Sequence, residues 1–337
     1  MLFPRTEKIL KSIVEQYITT ATPVPSQSIV DNYQMGVSPA TIRNEMARLE
    51  QEGYITRLHP SSGSIPSDKG YRYYVESLSD IQLPPAEQRL ISHLFHQVER
   101  ELAEWLNLAS TVAARLTQNM AVVGMAKPAD CQFKHLELVV LQDSLALLVL
   151  ILYGARIKQQ LINFDQAMSQ PELTAIANKL NEAYSGLTRS QILAKDLELT
   201  PAERQVTDCL AKIMEAEDEQ EYQEPYLAGL HFILSQPEFV HSQRMLTLME
   251  LAEHRDLLRV ITPQGLPSHG VQVVIGKENK AEAIRDYSVV ISRYGPREEA
   301  MGTIGVIGPT RMPYAHAISV VDYLSSVLSG LATELYG

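Results

Sequence analysis

The chain has 337 residues and a mass of 37.7 kDa, enough for about two or three domains. A composition of 45% hydrophobic and 20% charged residues excludes global disorder and a collagen-like chain. The net charge of −11 means that any binding to nucleic acid must rest on a local patch. Cys131 and Cys209 lie far apart with no CxxC pair, which argues against a disulfide scaffold or a cysteine zinc site and fits a reducing, cytoplasmic setting. The opening Met1-Leu2-Phe3-Pro4-Arg5 soon turns amphipathic and does not read as a signal peptide.

Taken in chain order, residues 7–19 carry Ile9, Leu10, Ile13, Val14, Tyr17 and Ile18 at three- and four-residue steps, the pattern of an amphipathic helix. Thr22-Pro23-Val24-Pro25 ends it, and Ser26 caps a second, short helix. Gln34-Met35-Gly36-Val37 reads as a turn. Ser38-Pro39 starts a third helix, because serine caps free N–H groups and proline at the first helical position loses no hydrogen bond. Gly53 stops it. Residues 54–58 are strand-like, 59–64 form a loop, Ile65-Pro66 returns, and Ser67 caps a further helix. Helix, helix, turn, helix, strand, loop, return and helix is the order of a winged helix-turn-helix.

Pro84-Pro85 marks a linker, and Glu87 to about Gln118 reads as one long helix. The apolar stretch from Leu136 to Leu152 is broken by Glu137, Gln142, Asp143 and Ser144. It predicts two strands, Leu136–Leu141 and Leu145–Tyr153, rather than a membrane span. Residues 165–224 turn helical, with starts at Ser169-Gln170-Pro171-Glu172 and Thr200-Pro201-Ala202-Glu203. They also carry a net charge of −8, against −1 for residues 1–80. The acidic run Glu215–Glu221 is expected to be a solvated helix end and loop. Further on, 227–234 and 242–260 look helical. Gly270–Ile275, Ser288–Arg293 and Gly302–Ile307 look like strands, and Ile318–Leu335 is a closing helix. Strand-rich segments on both sides of an acidic helical one predict an α+β domain with an insertion.

On the helix 39–52, Ile42, Met46 and Leu49 fall within about 60° of one another at 100° per residue, which makes them the core stripe. The opposite face presents Ala40, Asn44, Ala47, Arg48 and Gln51, with Thr41 and Arg43 on its shoulders. Small side chains permit close approach in a major groove, asparagine pairs bidentately with adenine, and arginine with guanine. The Ser38 end offers N–H groups and a positive dipole to a phosphate. His59, Ser61, Ser62 and Ser64 in the wing, with Lys69 and Arg72 on the next helix, are further candidate DNA contacts.

Elsewhere the chemistry is sparse. There is no GxSxG, no HExxH and no paired Cys/His ligand set, so neither an enzyme, a metal centre nor a cofactor is expected. His93 and His96 lack an evident third ligand. Gly302, Gly305 and Gly308 do not have the spacing of a phosphate loop and read as strand and turn residues.

Three segments of the N-terminal part, Ala40–Glu50, Gly53-Tyr54-Ile55 and Ile65–Val75, closely resemble the HrcA family of heat-inducible transcription repressors. Near the C-terminus Ile275–Asn279, Ser288-Val289-Val290 and Gly302–Tyr314 resemble the same family in the same order. The resemblance implies a winged helix-turn-helix over 1–80 and a linker helix with the first part of a GAF-like domain over 81–164. It further implies an inserted helical dimerisation domain over 165–224 and the second part of the GAF-like domain over 225–337. It implies a homodimer on double-stranded DNA, at an inverted-repeat operator of the CIRCE type upstream of chaperone operons. It also implies a repressing form maintained by a GroEL-type chaperonin. The wing departs from the family pattern. Ser64 stands where an arginine usually precedes Ile65-Pro66, and His59-Pro60 reverses the usual order. Arg57 is then the available substitute charge, and Ser64→Arg is expected to tighten operator binding. An alternative is a winged-helix regulator that senses a small effector in its GAF-like domain.

Overall fold

The computed structural model describes residues 2–32, 38–57, 59, 62–79, 81–98, 101–127, 131–153, 156–219, 225–239, 243–253, 257–267, 269–295 and 301–336. The expected turn at 34–37 and the candidate Ser61 lie outside them. The chain divides into two compact units. The first is Met1–Gly124, Glu224–Arg293 and Thr303–Val327; the second is Met125–Gln223, Tyr294–Gly302 and Leu328–Gly337.

The first unit opens with α1 (Pro4–Thr20), α2 (Ser26–Asn32), α3 (Pro39–Gln51), β1 (Ile55–Arg57), β2 (Ser64–Pro66) and α4 (Asp68–Glu76), in the expected order. β1 and β2 form an antiparallel hairpin that pairs Ile55 with Pro66 and Arg57 with Ser64. Val24 adds a bridge to Ser64 from the chain before α2. Ile9, Leu10, Ile13 and Val14 of α1, Ile29 of α2 and the α3 stripe are buried together with Ile55.

The segment from Glu87 to Gln118 forms two helices instead of one: α5 (Pro85–Gln97) and α6 (Leu102–Thr117). Val98 and Glu101 take extended conformations between them. The cause is a lapse in the apolar stripe, since no described residue between Phe95 and Trp105 is buried. Then comes β3 (Met120–Lys127), which opens a five-stranded sheet.

The second unit contributes β4 (Phe133–Gln142), β5 (Leu145–Leu152), β6 (Arg156–Asn163), α7 (Gln170–Tyr184), α8 (Arg189–Ala194) and α9 (Pro201–Glu219). The strands make a separate antiparallel sheet in the order β4-β5-β6. The sequence reading puts them in the GAF-like part. Instead Leu136, Leu138, Ala146, Leu148, Leu150 and Ile162 share a core with Leu173, Ile176, Leu180, Val206 and Leu210 of α7 and α9. The second unit thus begins near residue 125 and is mixed α+β, where the sequence predicts a helical segment from 165. The reason is the period-two alternation of β4 and β5, which fills one face and commits those strands to the nearest helices that can cover it. Both expected helix starts form, with reciprocal caps between Ser169 and Glu172 and between Thr200 and Glu203.

The edges of this sheet differ. Along β4, Asn181 accepts from Leu136 N at 2.7 Å and donates to Leu136 O at 2.9 Å. Gln170 accepts from Val140 N at 2.9 Å and donates to Leu138 O at 2.8 Å. On β6 the pairing of Phe164 N with Ser144 O places the inward bonds on even-numbered residues, so Ile157, Gln159 and Leu161 turn their backbone groups outward.

The chain continues through β7 (Tyr226–Ala228), α10 (Leu230–Leu234), α11 (Gln243–Glu253), α12 (Leu257–Ile261), β8 (Val271–Ile275), β9 (Tyr287–Tyr294), β10 (Met301–Pro309) and α13 (Tyr314–Tyr336). The five-stranded sheet runs β7-β3-β10-β9-β8. Residues 227 and 228, expected to open a helix over 227–234, belong instead to the edge strand 226–228 because Ala121, Val122 and Val123 pair with it, and Gly229 at φ 80° turns the chain into α10. Gly302, Gly305 and Gly308 sit inside β10. A Cβ at Gly308 would stand 1.9 Å from Asn119 Oδ1, so this glycine serves close packing and not a phosphate. α13 is long and apolar enough to cross a membrane by length and composition, yet Ala317, Val320, Val321 and Leu324 are buried, as in a core helix.

Gly70 in α4 gives a test of this packing. An added Cβ would lie 2.2 Å from Tyr54 O. In an open helix Gly→Ala stabilises; here Gly70→Ala is expected to destabilise by about 1–3 kcal/mol, read as a fall in the urea midpoint. A gain in stability would refute the contact.

Candidate nucleic-acid interface

α3 is set by its ends. Ser38 is extended at φ −70° and ψ 151°, and its hydroxyl accepts from Thr41 N at 3.2 Å. Pro39 occupies the first turn. Ile42, Met46 and Leu49 are buried. That orientation leaves Ala40, Arg43, Asn44, Ala47 and Arg48 exposed and Thr41 half-buried. The two faces divide as the helical period predicts.

The charges around this face differ in what they are doing. Glu52 takes Arg48 Nε at 2.7 Å, and the Arg48 guanidinium lies 5.0 Å from the Phe3 ring centroid. Glu50 faces Arg57 Nε at 3.4 Å. Glu45 accepts from Thr6 at 2.7 Å. The carboxylates of α3 are thus each held by a partner. Among the described residues Arg43 and Asn44 form no ion pair or hydrogen bond through their side chains. With the exposed Gln51, for which no side-chain bond is seen among the described residues either, they are the polar groups of α3 that remain available to something outside the chain.

Lys69 is placed otherwise than expected. Its ammonium donates to Glu52 O at 2.8 Å and sits 4.3 Å from the Tyr54 ring centroid, which satisfies an end carbonyl of α3. Arg72 is turned away from this face. It donates to Glu278 Oε1 and to Val273 O, at 2.8 and 2.7 Å, and its hydrogen bond with Glu278 raises its pKa further. Neither residue joins the α3 cluster as a free cation.

The hairpin loop also differs from expectation. His59 is exposed and Ser62 half-buried, and they bond to each other: His59 N donates to Ser62 Oγ at 3.0 Å and Ser62 Oγ to His59 O at 2.8 Å. Ser64 is fully buried, exchanges backbone bonds with Val24, and accepts from Arg57 Nε at 3.3 Å. It offers nothing to a phosphate. An arginine at position 64, expected to tighten operator binding, would meet the Arg57 side chain at this buried position. Two features escaped the sequence reading: the exposed Phe3 under Arg48, and the carboxylate partners that hold Arg48 and Arg57. Only the spacing of Arg48 and Glu52, four apart on a helix, signalled one of them.

A family model described as the HrcA protein C terminal domain matches residues 103–318. A heat-inducible transcription repressor HrcA of Dehalococcoides mccartyi (strain ATCC BAA-2266 / KCTC 15142 / 195) is 57% identical, covering 100% of this chain and 98% of its own. The protein of the same name from Roseiflexus castenholzii is 43% identical, covering 100% and 96%. A solved structure, described as a hypothetical protein at 2.2 Å resolution, matches with a TM-score of 0.60 at 24% identity, over 99% of this chain and 98% of that one, and shows the shared fold. The match thus defines a class, one whose named members are transcription repressors. The chain belongs to the HrcA family.

The split between buried and free faces is measurable. Ile42→Ala is expected to cost about 2–5 kcal/mol, whereas Arg43→Ala should leave stability within about 0.5 kcal/mol. Chemical denaturation of both variants decides it. A large loss at Arg43 would mean that it supports the fold.

Proposed function

We propose that this chain represses heat-shock genes by binding a CIRCE-type inverted repeat as a homodimer, through a winged helix-turn-helix formed by residues 1–76. The observation that carries the proposal is the free face of α3: Arg43 and Asn44, flanked by the exposed Ala40 and Ala47 and closed by the Ser38 cap. In this reading Arg43 and Asn44 read base edges and the N-terminus of α3 meets a phosphate. Arg48 adds charge at the rim. His59, Ser62 and Ser61 remain candidate backbone contacts of the wing, while Lys69 and Arg72 support the head from within.

Two copies are needed to read two half-sites. The inserted unit supports this. The sheet face away from its helices exposes Val139 (43%), Ile157 (61%) and Leu161 (55%). Cross-strand register sets Leu147 between Val139 and Leu161, and Ile151 beside Ile157. An apolar face of this kind favours association with a second copy. Exposed apolar surface on a chain with two separate cores also fits dependence on a GroEL-type chaperonin. The five-stranded sheet and its helices are read as the GAF-like domain. The alternative, a small effector held there, has less behind it: the groove of about 650 Å³ between β6 and α9 lies in the inserted unit.

Arg43→Ala and Asn44→Ala should each weaken binding to the inverted repeat by about 1–3 kcal/mol, with little change on a scrambled duplex. Fluorescence anisotropy across salt concentration reads both. Equal losses on the two duplexes would reject base reading by these side chains. For the dimer, Leu161→Glu should move the sedimentation equilibrium toward monomer while leaving the urea midpoint nearly unchanged. An unaltered dimer would place the interface elsewhere.

A further inference from the structure

We infer that the contacts between α4 and the turn at 276–278 form a clamp that aims α3 relative to the five-stranded sheet, and so set the half-site spacing that a pair of chains accepts. The inference rests on the DNA-reading role proposed for α3. Two sequence blocks were left without a task by that role, Ile275–Asn279 and Thr310–Tyr314. The structure brings both against the first 76 residues, within one compact unit.

The first attachment is Arg72. Its guanidinium takes both oxygens of Glu278 and the carbonyl of Val273 in β8. A planar fork is required for that set, and lysine does not supply one. Glu278 is held in turn by Ile275 N, which donates to it at 2.8 Å. One turn earlier on α4, Asp68 accepts from Lys277 N at 3.0 Å. Gly276 stands at φ +52°, and a Cβ there would lie 2.5 Å from both Asp68 carboxylate oxygens. Only a bare turn lets that carboxylate come so close.

Two further attachments lie apart from these. The Tyr71 ring sits 5.8 Å from the Tyr314 ring. The Tyr314 hydroxyl donates to Thr310 O at 2.6 Å and lies 2.8 Å from Ser288 Oγ. At the end of α1, Arg311 donates to Ile18 O at 3.4 Å while its other nitrogens hold Glu238 and Gln236. α1 packs on both α3 and α4, so attachments on α1 and α4 fix the direction of α3.

A half-exposed ion pair adds little to stability. What separated attachments do is restrict orientation. A dimer that must meet two half-sites at once loses apparent affinity in proportion to the time its heads point elsewhere. The clamp is therefore a positioning device: Arg72 acts on DNA through Glu278, not by touching it.

The test uses full-length wild type, Arg72→Met, Glu278→Gln and the double variant. Anisotropy titrations compare a CIRCE-type inverted repeat, a single half-site, and repeats with spacers lengthened by one base pair and by about half a helical turn. Circular dichroism melts confirm that each variant is folded. The expected result is half-site binding within about twofold of wild type, binding to the native repeat about tenfold weaker, and loss of most discrimination against altered spacers. The double variant should match the singles, because one contact is being removed in each. Spacer discrimination that survives in both variants overturns the clamp. A half-site defect in Arg72→Met that Glu278→Gln lacks also overturns it, by making Arg72 a direct DNA contact. Wild type that fails to separate the repeat from a scrambled duplex is a different failure, that of the DNA-reading role itself.

Discussion

Burial of three side chains organises the N-terminal part of this protein. Ile42, Met46 and Leu49 must leave water, and their spacing allows α3 to do so in one rotational setting. Once that setting is fixed, the direction of every other side chain on the helix follows. Asn44 faces outward because it lies opposite the stripe, and Arg43 because it lies on the shoulder of that outer face. Glu45, Glu50 and Glu52 lie on the flanks, within reach of Thr6, Arg57 and Arg48. A repulsive ring of carboxylates around the face proposed to read DNA is thereby avoided without any net positive charge on the segment.

The same logic of burial explains why the two larger sheets are covered by different helices. β5 alternates throughout and β4 does so from Leu136 to Val140, so one side of their sheet is filled and must be covered, and the capped helices α7 and α9 cover it. Met120, Val122, Val289, Ile291 and Ile307 gather instead with Ile233, Leu257, Leu258 and Ile261. Two sheets with separate helical covers make a repressor of separable parts. The first 76 residues meet the rest of their unit through the polar contacts of Arg72, Asp68 and Arg311 and through the buried Tyr71–Tyr314 ring pair.

Much of this was legible in the sequence, and the exceptions have physical causes. Caps and period marked α1, α3, α4, α7 and α9, because local chemistry decides where a helix begins. The α3 face was readable for the same reason. The break at 98–101 was not, since leucines on either side preserve the look of one long helix while its burial lapses. β7 was missed because three apolar residues carry no period, and only pairing with β3 makes them a strand. Strands 133–163 were assigned to the wrong unit, because alternation shows that a face will be covered and not by what. Arg72 looked like a DNA contact since its partner Glu278 lies 206 positions away.

The two edges of the small sheet carry a last consequence. Asn181 and Gln170 occupy the β4 edge with side-chain amides that mimic the bonds of a neighbouring strand. The β6 edge keeps its outward backbone groups at Ile157, Gln159 and Leu161. Sheets polymerise into fibres when each molecule can both give and receive a strand, which needs two open sides. With one side sealed, edge-to-edge growth halts after a single event. Two amides thus act as a chain terminator, a stop signal carried within the fold itself.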